Sequence, residues 1–248
     1  MRIQIIACRV FSRELSHLAS VSPNTIEITW LPQGLHDHPD IMRNMIASAL
    51  EELERQSGAK LSKHNPDAVA LGYGLCSNGI VGLSAGRVPL VAPRTDDCIA
   101  LFLGSQARYE EEFKRLRGCY WLNSGWVEYG FLEDAHISSS AYVKNKRGEY
   151  AEKYGEENAD FLIEYEMSWI EKYSTCAYIS SPVYNCAAYC ETAMRYAREN
   201  GWAYESLDGS LRLMEKLVGG DWNDDEFLVV PPGRRIAAAY DGTKIMAE

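Results

Sequence analysis

Three cysteines follow short apolar runs: Cys8 after Ile5-Ile6-Ala7, Cys76 shortly after Ala68-Val69-Ala70-Leu71, and Cys98 after Val88 to Val91. Runs of that length read as buried parallel strands, and open α/β sheets bind ligands beyond the carboxyl ends of their strands. A sheet built from these runs carries all three thiols to one edge, where sulfur can hold a soft metal. Zinc is the first choice for such a set and an iron-sulfur cluster the second, since both take thiolate ligands. His36 follows the alternating run Ile26-Glu27-Ile28-Thr29-Trp30-Leu31 in the same manner. It is the candidate nitrogen ligand, with Asp37 placed to orient the imidazole.

The loops around these thiols carry the remaining chemistry. In Gly72-Tyr73-Gly74-Leu75-Cys76-Ser77-Asn78-Gly79, three glycines surround one cysteine, which lets the backbone turn tightly and approach a ligand closely. Gly74, Asn78 and Gly79 are the positions expected to contact a cofactor, although neither dinucleotide spacing nor a phosphate-loop ending is present. In Pro93-Arg94-Thr95-Asp96-Asp97-Cys98, Arg94 is suited to grip a substrate carboxylate or to lower a thiol pKa. Asp97 either works beside the thiol or caps a helix starting near Ile99. Arg94 and Asp97 are therefore the catalytic candidates. Cys119, Cys176, Cys186 and Cys190 read as core packing, cysteine being among the most buried residue types. The aromatic stretch Tyr120 to Trp126 is suited either to lining a pocket over the thiol edge or to anchoring an interface.

These positions need a frame to hold them. Up to about residue 105 strands alternate with helices at Ser12 to Leu18 and Asp40 to Arg55, the latter with Ile41, Met45, Ala49 and Leu53 at helical spacing. A helix at Ser105 to Arg117 and a strand at Cys119 to Leu122 follow. Residues 133 to 158 read as a polar excursion, centred on Lys144-Asn145-Lys146-Arg147-Gly148-Glu149. Beyond it come helix, strand, helix, strand and helix, then a strand at Phe227 to Val230 stopped by Pro231-Pro232-Gly233. The expected fold class is α/β: a mostly parallel, Rossmann-like sheet flanked by helices, with a second smaller α/β lobe. The expected divisions are a lobe over 1–132, a connection over 133–158 and a lobe over 159–248.

Composition narrows the partners. The chain has 248 residues, 46% hydrophobic, with a formal charge of −10 and no basic block, which argues against nucleic acid or an anionic membrane surface. No apolar stretch is long enough for a signal peptide or membrane span, so the expected location is the cytoplasm, where seven cysteines stay reduced or bind metal. A homodimer is expected on general frequency alone.

At these loops the chain resembles a prokaryotic family catalogued as Domain of Unknown Function 1638. The resemblance rests on Ile6-Ala7-Cys8, Gln33-Gly34-Leu35-His36, Gly72 to Gly79, Asp97-Cys98, Gly104-Ser105 and Ser124-Gly125-Trp126. In the family pattern glycine often follows the central cysteine and histidine often precedes the third, where this chain has Ser77 and Asp97. Members are often encoded near corrinoid-dependent methyltransferases. The resemblance thus implies one-carbon or methyl-transfer metabolism of a small molecule, with a corrinoid protein or methyltransferase as partner. Three readings follow: a zinc or iron-sulfur enzyme, a metal-free racemase-type enzyme using Cys76 and Cys98 as acid and base, and an accessory protein that delivers metal or activates a corrinoid partner. The racemase reading lacks the asparagine-threonine and threonine-histidine neighbours usual in that fold.

Overall fold

In a computed structural model the structure describes residues 1–59, 65–131, 140–184 and 186–248. Along the chain these form β1 (Arg2–Cys8), α1 (Ser12–Val21), β2 (Thr25–Leu31), α2 (Pro39–Ala59), β3 (Ala68–Gly72), β4 (Leu90–Pro93), α3 (Cys98–Leu103), α4 (Gln106–Arg115), β5 (Cys119–Asn123) and α5 (Ser124–Trp126). There follow α6 (Ser140–Tyr154), α7 (Glu156–Met167), β6 (Thr175–Ser180), α8 (Ala187–Glu199), β7 (Ala203–Asp208), α9 (Arg212–Gly219), β8 (Phe227–Val230), β9 (Ile236–Ala238) and β10 (Ile245–Ala247).

The main sheet has the order β2-β1-β3-β4-β8. Its first four strands are parallel and β8 runs antiparallel to β4. The near-continuous apolar runs of β1, β3 and β4 fit strands covered on both faces, whereas β2, at the edge, alternates. From β1 the chain steps to β2 on one side and then crosses to β3 on the other. Reversing the direction of winding puts α1 and α2 on opposite faces of the sheet. Met42 and Ile46 of α2 pack with Ile6, Leu71, Leu90 and Val230 in one buried cluster. Phe11, just before α1, stacks on Phe102 at 4.7 Å, and α1 packs against α9.

A second, three-stranded parallel sheet has the order β5-β6-β7. Its core is aromatic: Tyr120 meets Tyr196 at 5.4 Å, Trp202 at 5.5 Å and Tyr173 at 5.7 Å between ring centroids. The Tyr120 ring is thus committed to this core. Cys119 and Cys176 are buried here, and Cys186 and Cys190 pack against the same cluster.

The chain divides into two compact units, Met1–Glu110 with Gly209–Glu248, and Glu111–Asp208. This differs from the boundaries expected at 132 and 159, because β8 returns to pair with β4 and takes the last forty residues with it. The polar excursion also differs from expectation: Ser140–Tyr154 is helical, while residues 132–139 lie outside the described residues. What holds α6 is polar: Arg147 donates to Asp160 at 2.6 Å and Tyr150 to Glu166 at 2.6 Å, both on α7. Such a helix has almost no apolar stripe to read.

Two glycines test the packing. A Cβ on Gly72 would stand 2.5 Å from the Ala7 Cβ, so G72A should lower the free energy of unfolding by about 1–3 kcal/mol in urea titration. Gly148, inside α6 with nothing within 4 Å, should give the opposite sign, a gain of roughly 0.5–1 kcal/mol for G148A.

Candidate functional site

β1 and β3 are neighbours whose onward connections leave to opposite sides, so a crevice opens beyond their carboxyl ends. Cys8 is the last residue of β1 and precedes a 3-10 turn, Arg9–Phe11. On the β3 side the loop is stitched to the exit of β4: Leu75 N donates to Thr95 O and Cys76 N to Asp96 O, both at 2.8 Å. Gly74 makes this approach feasible, since a Cβ there would stand 2.8 Å from the Asp97 backbone and from Thr95 Oγ1. Gly79 does the same against α2, where a Cβ would meet Met42 Cε at 2.7 Å.

Between these glycines the backbone turns left-handed at Cys76, Ser77 and Asn78 in succession, with φ of 45°, 56° and 65°. Each such residue costs about 1–3 kcal/mol and persists only where its surroundings force it. Gly79 N donates to the carbonyls of Leu75 and Cys76 at 3.0 Å, and Arg43 of α2 donates to Asn78 O at 3.1 Å and Val81 O at 2.6 Å. The turn leaves Cys76 buried and sends Ser77 and Asn78 outward.

The electrostatics show which groups share the crevice. Burial pushes the Cys8 thiol up to about 11, with the amides of Val10 and Arg9 opposing it. Burial pushes Cys76 higher still, helped by Asp97 and Cys8 and opposed by the amides of Gly74 and Cys98. Burial, then Cys8 and Cys76, raise the Tyr73 phenol. Cys8, Tyr73 and Cys76 therefore lie within electrostatic reach of one another, with Asp97 beside Cys76. Sequence reasoning did not single out Tyr73. Its position at the end of an apolar strand, inside the glycine loop, was the available signal.

Asp97 caps α3: its Oδ1 accepts from Ile99 N at 2.8 Å and its Oδ2 from Tyr109 Oη at 3.1 Å. Burial is the main cause that raises its pKa. Cys98 opens α3 and directs its amide towards Cys76.

Arg94 points elsewhere. Its guanidinium donates to the carbonyls of Asp224 at 2.8 Å, Thr243 at 3.0 Å, Phe227 at 3.3 Å and Ile245. Lys244 reaches Asp96 at 2.8 Å from the turn between β9 and β10. On its other side the same hairpin bonds the stretch after the Cys76 turn, through Gly82 N to Ile236 O and Ile236 N to Leu83 O, both at 2.8 Å. The hairpin thus ties the loop of Cys76 to the loop of Cys98.

His36 sits in a short turn with Nε2 3.3 Å from Asp37. Among the described residues, no three His, Cys, Asp or Glu side chains stand close enough together to hold a metal ion. A groove of about 500 Å³ runs between α2 and residues 82–88, towards the amino ends of β3 and β4, and none of the three thiols lines it.

The two parts of Asp97 separate by substitution. D97A should lose the cap and about 1–2 kcal/mol. D97N keeps a capping oxygen and removes the buried charge. The wild-type carboxyl, raised in the fold, contributes stability below its unfolded value near 3.9 and loses it as pH rises through the folded value. Urea titration should therefore find D97N at least as stable as wild type at pH 8, with any advantage shrinking towards pH 4.

No curated protein and no solved structure matches the chain. A family profile described as a protein of unknown function matches residues 30–218, a span that holds Cys76 and Cys98 and stops short of Cys8. With three quarters of its length so matched, the chain belongs to the DUF1638 family.

Proposed function

We propose that the protein is a metal-thiolate enzyme acting on a small molecule, with zinc held at the β1–β3 crevice by Cys8, Cys76 and Cys98. One observation carries the reading: two thiols lie within electrostatic reach of each other where the sheet reverses its winding, and backbone amides face both sulfurs. Amide donors favour the charged form of the group they face. Burial holds these thiols protonated, and a cation that bound them would displace the protons.

Cys98, whose amide faces Cys76, is the third sulfur of the proposed set. A zinc with three protein ligands supplies an open position that activates a thiol or water for nucleophilic attack. Asp97 caps the helix that carries Cys98, and Gly74 keeps the loop of Cys76 against it. One-carbon or methyl-transfer chemistry beside a corrinoid protein or methyltransferase is the context that the family resemblance supports. Among the described residues no helix is long and apolar enough to cross a membrane.

Protein purified without oxygen should retain zinc near one equivalent by elemental analysis. C8S and C76S should weaken zinc at least a hundredfold, C98S by a smaller factor, and C186S not at all. Because both raised thiols must lose protons, apparent affinity should climb with pH, by up to about tenfold per unit for each thiol. Absence of saturable metal binding by fully reduced protein would refute the reading.

A further inference from the structure

The two edges of the main sheet differ in how they are guarded. β8, at one end, is four residues long, is followed by Pro231-Pro232 and has β10 packed against it. Short strands, prolines and covering segments are what keep sheet edges from pairing. β2, at the other end, runs for seven residues, Thr25-Ile26-Glu27-Ile28-Thr29-Trp30-Leu31, without proline, glycine or lysine. Thr25 N donates to Met1 O at 2.9 Å, and main-chain groups alternate along a strand, so Thr25, Glu27, Thr29 and Leu31 turn theirs inward to β1. The N–H and C=O groups of Ile26, Ile28 and Trp30 therefore face the open edge, and among the described residues nothing bonds them. The side chains of the same three residues share one face of the strand, and all are half-buried.

We infer that β2 pairs antiparallel with β2 of a second copy, two-fold about Ile28, and so joins two five-stranded sheets into one. The register follows from the open groups. In an antiparallel ladder, residues whose main-chain groups face each other exchange two hydrogen bonds per pair. With the axis at Ile28, that residue meets itself and Ile26 meets Trp30, so every open N–H and C=O finds a partner. An axis at Glu27 would set two carboxylates directly opposite and carry Trp30 past the end of the partner strand. An axis at Thr29 would face Ile26 with Pro32, which has no N–H. Side chains favour the same choice, since Ile26 beside Trp30 is an aromatic against a β-branched residue, a pair that stabilises sheets. Glu27 comes opposite Thr29, and Arg2 of its own chain already neutralises it at 2.9 Å. Seven residues a side make a small interface, so the dimer is reversible and depends on concentration. It needs nothing bound at the thiol edge.

Full-length protein, kept reduced so that its seven cysteines form no cross-links, is sedimented across the micromolar range as wild type, I28K and I41K. Ile41 is exposed on α2 and carries the same substitution away from the edge. Wild type should pass from monomer to dimer as concentration rises. I28K sets two lysines face to face at the axis and should weaken association about tenfold or more, while I41K leaves it unchanged. Hydrogen exchange of the wild type, read residue by residue above and below the transition, stands as a second measurement if I28K does not fold. The amides of Ile26, Ile28 and Trp30 should slow on dimerisation, whereas those of Glu27 and Thr29 are protected on both sides of it. A protein that stays monomeric would overturn the inference. So would a dimer whose edge amides exchange at an unchanged rate, one that I28K leaves as tight as wild type, or one that I41K weakens as much as I28K, since the copies would then meet elsewhere.

Discussion

The close parallel approach of β1 and β3 is the constraint on which everything else depends. Ala7 lies opposite Gly72, and no side chain larger than hydrogen fits between them. Because connections leave these strands in opposite directions, a crevice opens beyond their carboxyl ends. Strand geometry brings Cys8 to that edge, and the loop after β3 brings Cys76. The glycines at 74 and 79 then let the loop of Cys76 settle against the exit of β4 and the start of α2.

Unfavourable features gather at this edge. Three consecutive left-handed residues, the buried Cys76 and half-buried Cys8 thiols, the half-buried Asp97 carboxyl and a phenol hydroxyl without a partner all lie at or just beyond the ends of β1, β3 and β4. The rest of the sheet is ordinary close packing. Local cost concentrated in one region, held there by the carbonyl network of Arg94, the ion pair of Lys244 and the Arg43 bonds, is the pattern of a site shaped for something other than stability.

What could be read from the sequence followed from burial. The strands ending near Cys8, Cys76 and Cys98 were legible because strands covered on both faces need continuous apolar runs, and Asp97 as a cap was legible because capping is local. Arg94 was not, since the carbonyls it binds lie at least 130 residues along the chain and carry no side-chain signature. His36 lies in the short turn after the edge strand β2, beside Asp37. The last domain boundary was hidden because nothing in Phe227–Val230 says that it runs antiparallel to β4. The left-handed turn was also hidden, since cysteine and serine seldom adopt that backbone.

The return of β8 to β4 also sets an order of assembly. Residues 111–208 form a continuous stretch, whereas the larger unit is discontinuous and lacks its closing edge strand until residue 230 has been made. During synthesis, which runs from the amino terminus, the inserted unit is complete while the sheet around the thiol crevice still has an open β4 flank. An unpaired parallel edge is a template for foreign strands. The β4 flank stays open from the making of Pro93 until β8 follows at Phe227–Val230, and the residues between them set how long a nascent chain is exposed to mispairing.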